Sequence, residues 1–369
     1  MDHPLRVLIV DDTVTYRKIG ADVLAGCPDV EVVGTAANGK IALQRLEQQA
    51  TDLLMLDLEM PEMNGQAVLE ELRRRKSPTG AIMLSAFTAQ GATATLAALG
   101  TGAFDFVLKP SGTSMEANVE QLRRELRAKL TAYARCRSVR QILYGGSRAL
   151  GNSEVAAVGG VAAAPGISAP SAGLPQVVAL GISTGGPRAL TEMVPQLPAD
   201  LPVPLLIVQH MPPVFTRSLA DDLNKRTPLT VREGVDGQPI RAGEVWIAPG
   251  GRQMKVSREN GQVVLRVTDD PPENSCRPSV DYLFRSVAEG YGGRAVGVSM
   301  TGMGSDGTLG CRRMKHRGAS IIAQDAATCV VFGMPRELIE KGIADVVVPL
   351  GRIATEIARL TRQGATLCK

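Results

Sequence analysis

Arg6-Val-Leu-Ile-Val-Asp-Asp12 opens as a β-branched apolar run and stops on two carboxylates. Four more short runs follow at helix-length intervals: Glu31-Val-Val33, Leu53-Leu-Met-Leu56, Ala81-Ile-Met-Leu84 and Phe104-Asp-Phe-Val-Leu108. Largely apolar strands separated by helix-sized spacers imply a parallel sheet covered on both faces. The spacers carry helical periodicity, with Ile41, Ala42 and Leu46 expected on one face of Gly39–Gln49 and Val68, Leu69 and Leu72 apolar in Ala67–Arg74. The start of the chain therefore reads as a doubly wound α/β domain of five βα units.

In such a sheet the carboxyl ends of the strands meet in one crevice at the topological switch point. Asp11 and Asp12 end the first run, Asp57 the third, Ser85 the fourth and Lys109, just before Pro110, the fifth. One aspartate at a strand end is more often a helix cap. Polar groups on successive strand ends are a different matter. Three like charges in one pocket call for a hard divalent cation that prefers oxygen, so Mg²⁺ is expected rather than zinc. Lys109 at the same rim offers a positive charge to a phosphoryl oxygen.

With 369 residues, 44% of them hydrophobic, the chain can bury two cores. Lys and Arg number 41 against 37 Asp and Glu, a net charge of +4 with no basic arm, which is too balanced to argue for a nucleic-acid partner. No apolar run approaches the ~20 residues a bilayer demands. No membrane insertion and a cytoplasmic location are expected, since nothing directs the chain elsewhere. The six cysteines form no C-x-x-C pair, which argues against a zinc framework or a disulfide scaffold and for thiols in a reducing compartment.

From Glu116 to about Tyr144 the pattern stays helical and turns basic, but Glu116, Glu120 and Glu125 compensate, so a solvated face outweighs a nucleic-acid patch. Residues 145–175 are mostly Gly, Ala, Ser, Pro and Val, without periodicity or bulk, and read as a flexible linker. A second alternating block starts at Val177. Its strand-like runs are Val177–Leu180, Pro204–Val208, Glu244–Ile247, Val263–Val267, Ala295–Ser299, Ser320–Ala323 and Ala344–Val348. A larger, doubly wound, mostly parallel α/β domain is expected, giving three stretches: 1–130, a basic helix and linker over 131–175, and 176–369.

In Val177-Val-Ala-Leu-Gly-Ile-Ser-Thr-Gly-Gly-Pro187 a strand enters a glycine-rich turn, and Gly181-Ile-Ser183-Thr-Gly185 fits G-x-S-x-G. The turn lacks the P-loop lysine and the dinucleotide spacing, which argues against a nucleotide site. A serine needs an adjacent base. His210 ends the next strand, and Asp306, in Ser299-Met-Thr-Gly-Met-Gly-Ser-Asp-Gly307, follows another, where it could orient the imidazole. Either alone is as readily a core histidine or a helix cap. Together they favour catalysis, and the order Ser, His, Asp sets them apart from α/β-hydrolases, chymotrypsin and subtilisin.

Two resemblances cover nearly the whole chain except the linker. Asp11-Asp12, Leu56-Asp57-Leu58-Glu59-Met60-Pro61, Leu84-Ser85-Ala86 and Lys109-Pro110 resemble the receiver domain of two-component signalling, a flavodoxin-like (βα)₅ fold. That likeness implies Asp57 as phosphoacceptor and Mg²⁺ held by Asp11, Asp12, Asp57 and the main chain of Glu59. It also implies Ser85 and Lys109 on the phosphoryl group and Phe106 as an aromatic switch. Gly181–Gly186, Gln209-His-Met-Pro-Pro-Val-Phe-Thr216, Ala248-Pro-Gly250 and Thr301–Gly307 resemble the catalytic domain of the chemotaxis protein-glutamate methylesterase (CheB) family. This second likeness implies Ser183, His210 and Asp306 as catalytic residues, an oxyanion region at Thr184 and Met303, and no cofactor for the ester hydrolysis. The expected activity is hydrolysis of glutamyl methyl esters on methyl-accepting chemotaxis receptors, with deamidation of receptor glutamines. A chemotaxis histidine kinase is the expected phosphoryl donor, and a monomer the expected state. Two other readings compete: a phosphorelay module that only binds a partner, and a DNA-binding regulator, disfavoured because about 190 residues of α/β pattern replace a short terminal helix-turn-helix. No partner-docking peptide is recognisable at Leu367-Cys-Lys369.

Overall fold

The computed structural model describes residues 3–27, 29–110, 114–144 and 173–362. The linker expected over 145–175 falls outside them up to residue 172, as does Leu367–Lys369. The first domain runs β1 (Leu5–Val10), α1 (Val14–Ala25), β2 (Val30–Ala36), α2 (Gly39–Gln48), β3 (Leu53–Asp57), α3 (Gly65–Arg74), β4 (Gly80–Ser85), α4 (Ala89–Thr101), β5 (Asp105–Leu108) and α5 (Met115–Tyr144). Its five strands form one parallel sheet ordered β2-β1-β3-β4-β5. Every residue of β3 is buried, as expected of a central strand with helices on both faces. Val68, Leu69 and Leu72 of α3 are buried as expected. In α2 the inward side chains are Ala42 and Leu43, while Ile41, expected on the apolar face, is 36% exposed in the helix's first turn.

Register carries the polar residues together. Val10 pairs with Leu56 and Asp57 with Leu84, so Asp11, Asp57 and Ser85 stand side by side at the carboxyl edge. A single helix, α5, crosses residue 130, the expected end of the domain. Beyond that point Tyr133 accepts the Gly80 N–H at 3.0 Å and donates to the Asp52 carbonyl at 2.8 Å, so the packing of the first domain continues past the expected boundary.

The second domain runs β6 (Val177–Ile182), α6 (Gly186–Met193), β7 (Leu205–Gln209), α7 (Phe215–Asn224), β8 (Thr230–Glu233), β9 (Glu244–Ile247), β10 (Gln253–Glu259), β11 (Gln262–Thr268), α8 (Val280–Tyr291), β12 (Ala295–Ser299), α9 (Thr308–His316), β13 (Ser320–Gln324), α10 (Met334–Glu340), β14 (Val346–Val348) and α11 (Leu350–Arg362). Seven strands form a parallel sheet ordered β14-β13-β12-β6-β7-β9-β8. The order reverses at β6, which lies between β12 and β7 and opens the crevice there. Val263–Val267 is not part of this sheet. It belongs to β11, which pairs antiparallel with β10 through the Asn260-Gly261 turn, both residues at positive φ. Among the described residues no helix is long and apolar enough to cross a membrane.

Candidate active site

The turn after β6 is shaped by what it must avoid. Ser183 N–H donates to the Thr301 carbonyl at 3.0 Å, and Gly186 N–H returns to the Ser183 carbonyl at 2.8 Å. Gly185 between them has φ +79°, and a Cβ there would lie 2.6 Å from Val330 Cβ. Gly302 likewise lets a neighbouring loop approach, because its Cβ would fall 2.8 Å from Ser183 Cβ. Only glycine fits both positions. The serine is thereby held at the carboxyl edge, where the Ile182–Gln209 pairing sets it beside His210.

His210 is aligned by Asp306, whose Oδ2 lies 2.8 Å from Nε2. Asp306 is itself seated on the N-terminus of α8. Its carboxylate accepts from Val280 N–H at 2.7 Å, Asp281 N–H at 3.0 Å, Ser279 Oγ at 2.9 Å and Asn274 Nδ2 at 3.2 Å. Burial alone would push its pKa up, but the hydrogen bonds from His210 and the helix N–H groups hold it below the ordinary carboxylate range. For His210 the balance is reversed. Burial pulls the imidazole down, yet the bonds to Asp306 and Cys276 outweigh it, and its pKa is raised to about 9. The other ring nitrogen, Nδ1, has Cys276 Sγ at 3.9 Å. Among the described residues no hydrogen bond joins Ser183 Oγ to the ring.

In the expected oxyanion region, Thr184 directly follows Ser183, and Met303 follows Gly302. Thr184 is buried and its hydroxyl donates to Asp105 Oδ2 at 2.9 Å, while Met303 is 39% exposed. Asn274, Cys276, Ser279 and Gln209 were not anticipated. Of these, Gln209 could have been, since it directly precedes His210. Its Nε2 donates to the Ser183 carbonyl at 3.0 Å.

In the first domain, oxygens of Asp11, Asp12 and Asp57 lie within 4.8 Å of one another. An all-carboxylate set of this spacing fits a hard cation such as Mg²⁺. Lys109 Nζ bridges Asp11 at 2.8 Å and Asp57 at 2.7 Å. Burial raises the Asp57 pKa, with Asp11 adding to the effect and Lys109 opposing it, and the Glu59 N–H also bonds to the carboxylate. Among the described residues no hydrogen bond joins Ser85 to Asp57. Its buried hydroxyl accepts from Thr95 Oγ1 at 2.7 Å, on α4.

The two domains share a wall beside Ser183. A cavity of about 80 Å³ is lined by Ser183, Thr184 and His210 from one domain and Asp105, Phe106 and Lys129 from the other. Phe106 stacks on Phe215 of α7 with centroids 4.7 Å apart and planes 9° from parallel. Lys129 Nζ pairs with Asp105 at 2.9 Å.

A family model described as CheB methylesterase matches residues 178–357, and one described as response regulator receiver domain matches residues 7–119. The chain is 46% identical to a protein-glutamate methylesterase/protein-glutamine glutaminase of Desulfotalea psychrophila, over 97% of this chain and 99% of that one. It is 43% identical to a protein of the same description from Symbiobacterium thermophilum, over 99% of each. Among solved structures, the catalytic domain of Thermotoga maritima CheB methylesterase matches with a TM-score of 0.50 and 43% identity, covering 50% of this chain and 98% of that one.

Proposed function

The chain belongs to the CheB methylesterase family, and on that premise we propose that it is a phosphorylation-activated protein-glutamate methylesterase acting on methyl-accepting chemotaxis receptors. The observation that carries the chemistry is the His210–Asp306 pair at 2.8 Å beside Ser183 on its glycine-framed turn. His210 Nδ1 takes the Ser183 proton as Oγ attacks the ester carbonyl carbon. Asp306 stabilises the imidazolium so formed. Backbone donors near Thr184 and Met303 hold the oxyanion. As the intermediate collapses, the methoxy oxygen takes the proton from His210 and leaves as methanol. Water, deprotonated by His210, then attacks the acyl carbon, and the Ser183–acyl bond breaks as Oγ takes the proton back from His210, giving glutamate and free Ser183. A glutamine follows the same course with ammonia leaving.

Asp57 is the proposed phosphoacceptor, with a chemotaxis histidine kinase as donor. Mg²⁺ held by Asp11, Asp12, Asp57 and the Glu59 carbonyl would neutralise charge during phosphoryl transfer. Lys109 would then bind a phosphoryl oxygen, and Ser85 would leave Thr95 to do the same. That movement frees space for Phe106 to leave Phe215, and the first domain uncovers Ser183. The ester hydrolysis itself takes no cofactor in this scheme. The protein is proposed to act in the cytoplasm as a monomer, without nucleic acid.

Methanol release from methylated receptor membranes tests the chemistry. Full-length wild type should release it, and Ser183→Ala should be slower by roughly 10⁴-fold or more, the scale of losing the nucleophile of such a triad. Equal release by both proteins would overturn the assignment.

A further inference from the structure

The turn Glu273–Cys276 reaches both ends of the catalytic pair. Glu273 N–H donates to the Cys276 carbonyl at 3.1 Å and Cys276 N–H to the Glu273 carbonyl at 2.8 Å. The residues between them, Asn274 and Ser275, have φ of +51° and +62°. Two successive positive φ values make the backbone of a type I′ turn, which asparagine tolerates and serine adopts at a cost. Such strain persists only where surrounding contacts hold it. Here the contacts lie on the active site. Asn274 Nδ2 donates to Asp281 at 3.0 Å and to Asp306 at 3.2 Å, and Cys276 Sγ lies 3.9 Å from His210 Nδ1.

The result is a thiol, an imidazole and a carboxylate whose donor atoms lie within 4.8 Å of one another. A thiol facing one imidazole nitrogen, with the other held by a buried carboxylate, has the parts that activate a cysteine as a nucleophile. The ester hydrolysis makes no use of this thiol. Cys276 is half-buried, as are Cys136 and Cys329, whereas Cys27 and Cys311 are buried.

We propose that Cys276 is a site of reversible thiol modification, through which low-molecular-weight disulfides block the chemistry of Ser183 and His210. With the ring neutral, the Cys276 proton passes to His210 Nδ1, and the thiolate attacks one sulfur of the small disulfide. A new S–S bond forms as the old one breaks, and the departing thiolate takes the proton back from Nδ1. Cys276 is oxidised and half of the small disulfide is reduced, so no further oxidant is needed. The attached group occupies the space around Nδ1 and keeps the imidazole from Ser183. The loss of activity rests on the proposed esterase function; the adduct does not.

Oxidised glutathione is the probe, applied to the full-length wild type and to Cys276→Ser. Each is followed by peptide mass and by methanol release, as the ratio of treated to untreated protein. Expected are one glutathione on the Cys276 peptide and a fall of about a hundredfold or more, the scale of losing a positioned acid–base group. Dithiothreitol should restore activity, and the ratio for Cys276→Ser should stay near one. Modification confined to Cys136 or Cys329, or equal inactivation of Cys276→Ser, would overturn the proposal. Untreated wild type that releases no methanol would sink the esterase reading, and the adduct mass would still decide whether Cys276 is the reactive thiol.

Discussion

His210 divides its two nitrogens between two partners: Nε2 faces Asp306 at 2.8 Å, and Nδ1 faces the Cys276 thiol at 3.9 Å. General-base work needs the neutral ring, so activity should rise with pH as His210 loses its proton. Because burial is outweighed by the bonds to Asp306 and Cys276 and the pKa rises to about 9, the rising limb of the kcat/KM profile should lie above the ordinary histidine value. Asp306→Asn should move that limb down, since burial then acts without the opposing carboxylate, and should lower kcat by about 10⁴-fold. A limb that stays in place in the variant would contradict this role for Asp306. Ser183, His210 and Asp306 could be read from the sequence because each follows a recognisable strand. Asn274 and Cys276 could not, because their placement depends on two positive φ values that an Asn-Ser pair does not announce.

Among the elements, the turn from β6 into α6 is tightly constrained. Gly185→Ala would combine a left-handed backbone with a Cβ 2.6 Å from Val330. It should cost about 1–3 kcal/mol from the backbone alone, seen as a lower urea midpoint for the catalytic domain. An unchanged midpoint would show that the turn tolerates a side chain. Strands with continuous apolar runs are evident from their residues, and β3 and β6 are buried throughout as such runs require. The hairpin was missed although Asn260-Gly261 is a strong turn signal, because only its second strand, β11, reads as an apolar run. The four-residue edge strand β8 was missed because one of its four residues, Val231, is buried.

Across the whole molecule, the contact between domains had no sequence signature. Asp105, Lys129 and Phe215 are ordinary residues until folding sets them against Thr184 and Phe106, and no local pattern encodes that meeting. Asp105→Ala removes the acceptor of the Thr184 hydroxyl and the partner of Lys129. A lost hydrogen bond of about 1 kcal/mol should raise methanol release without any phosphoryl donor by roughly fivefold, if closed molecules predominate. No increase would place the restraint elsewhere, with the Phe106–Phe215 stack the next contact to break. In the proposed mechanism a phosphoacceptor at Asp57 controls an esterase at Ser183. The most direct measurement is methanol release from methylated receptor membranes with and without a small phosphoryl donor and Mg²⁺, comparing wild type with Asp57→Asn. Release that rises with the donor in wild type and stays at its basal level in Asp57→Asn is the expected result. Release that is indifferent to the donor in a wild type verified as phosphorylated would contradict the account.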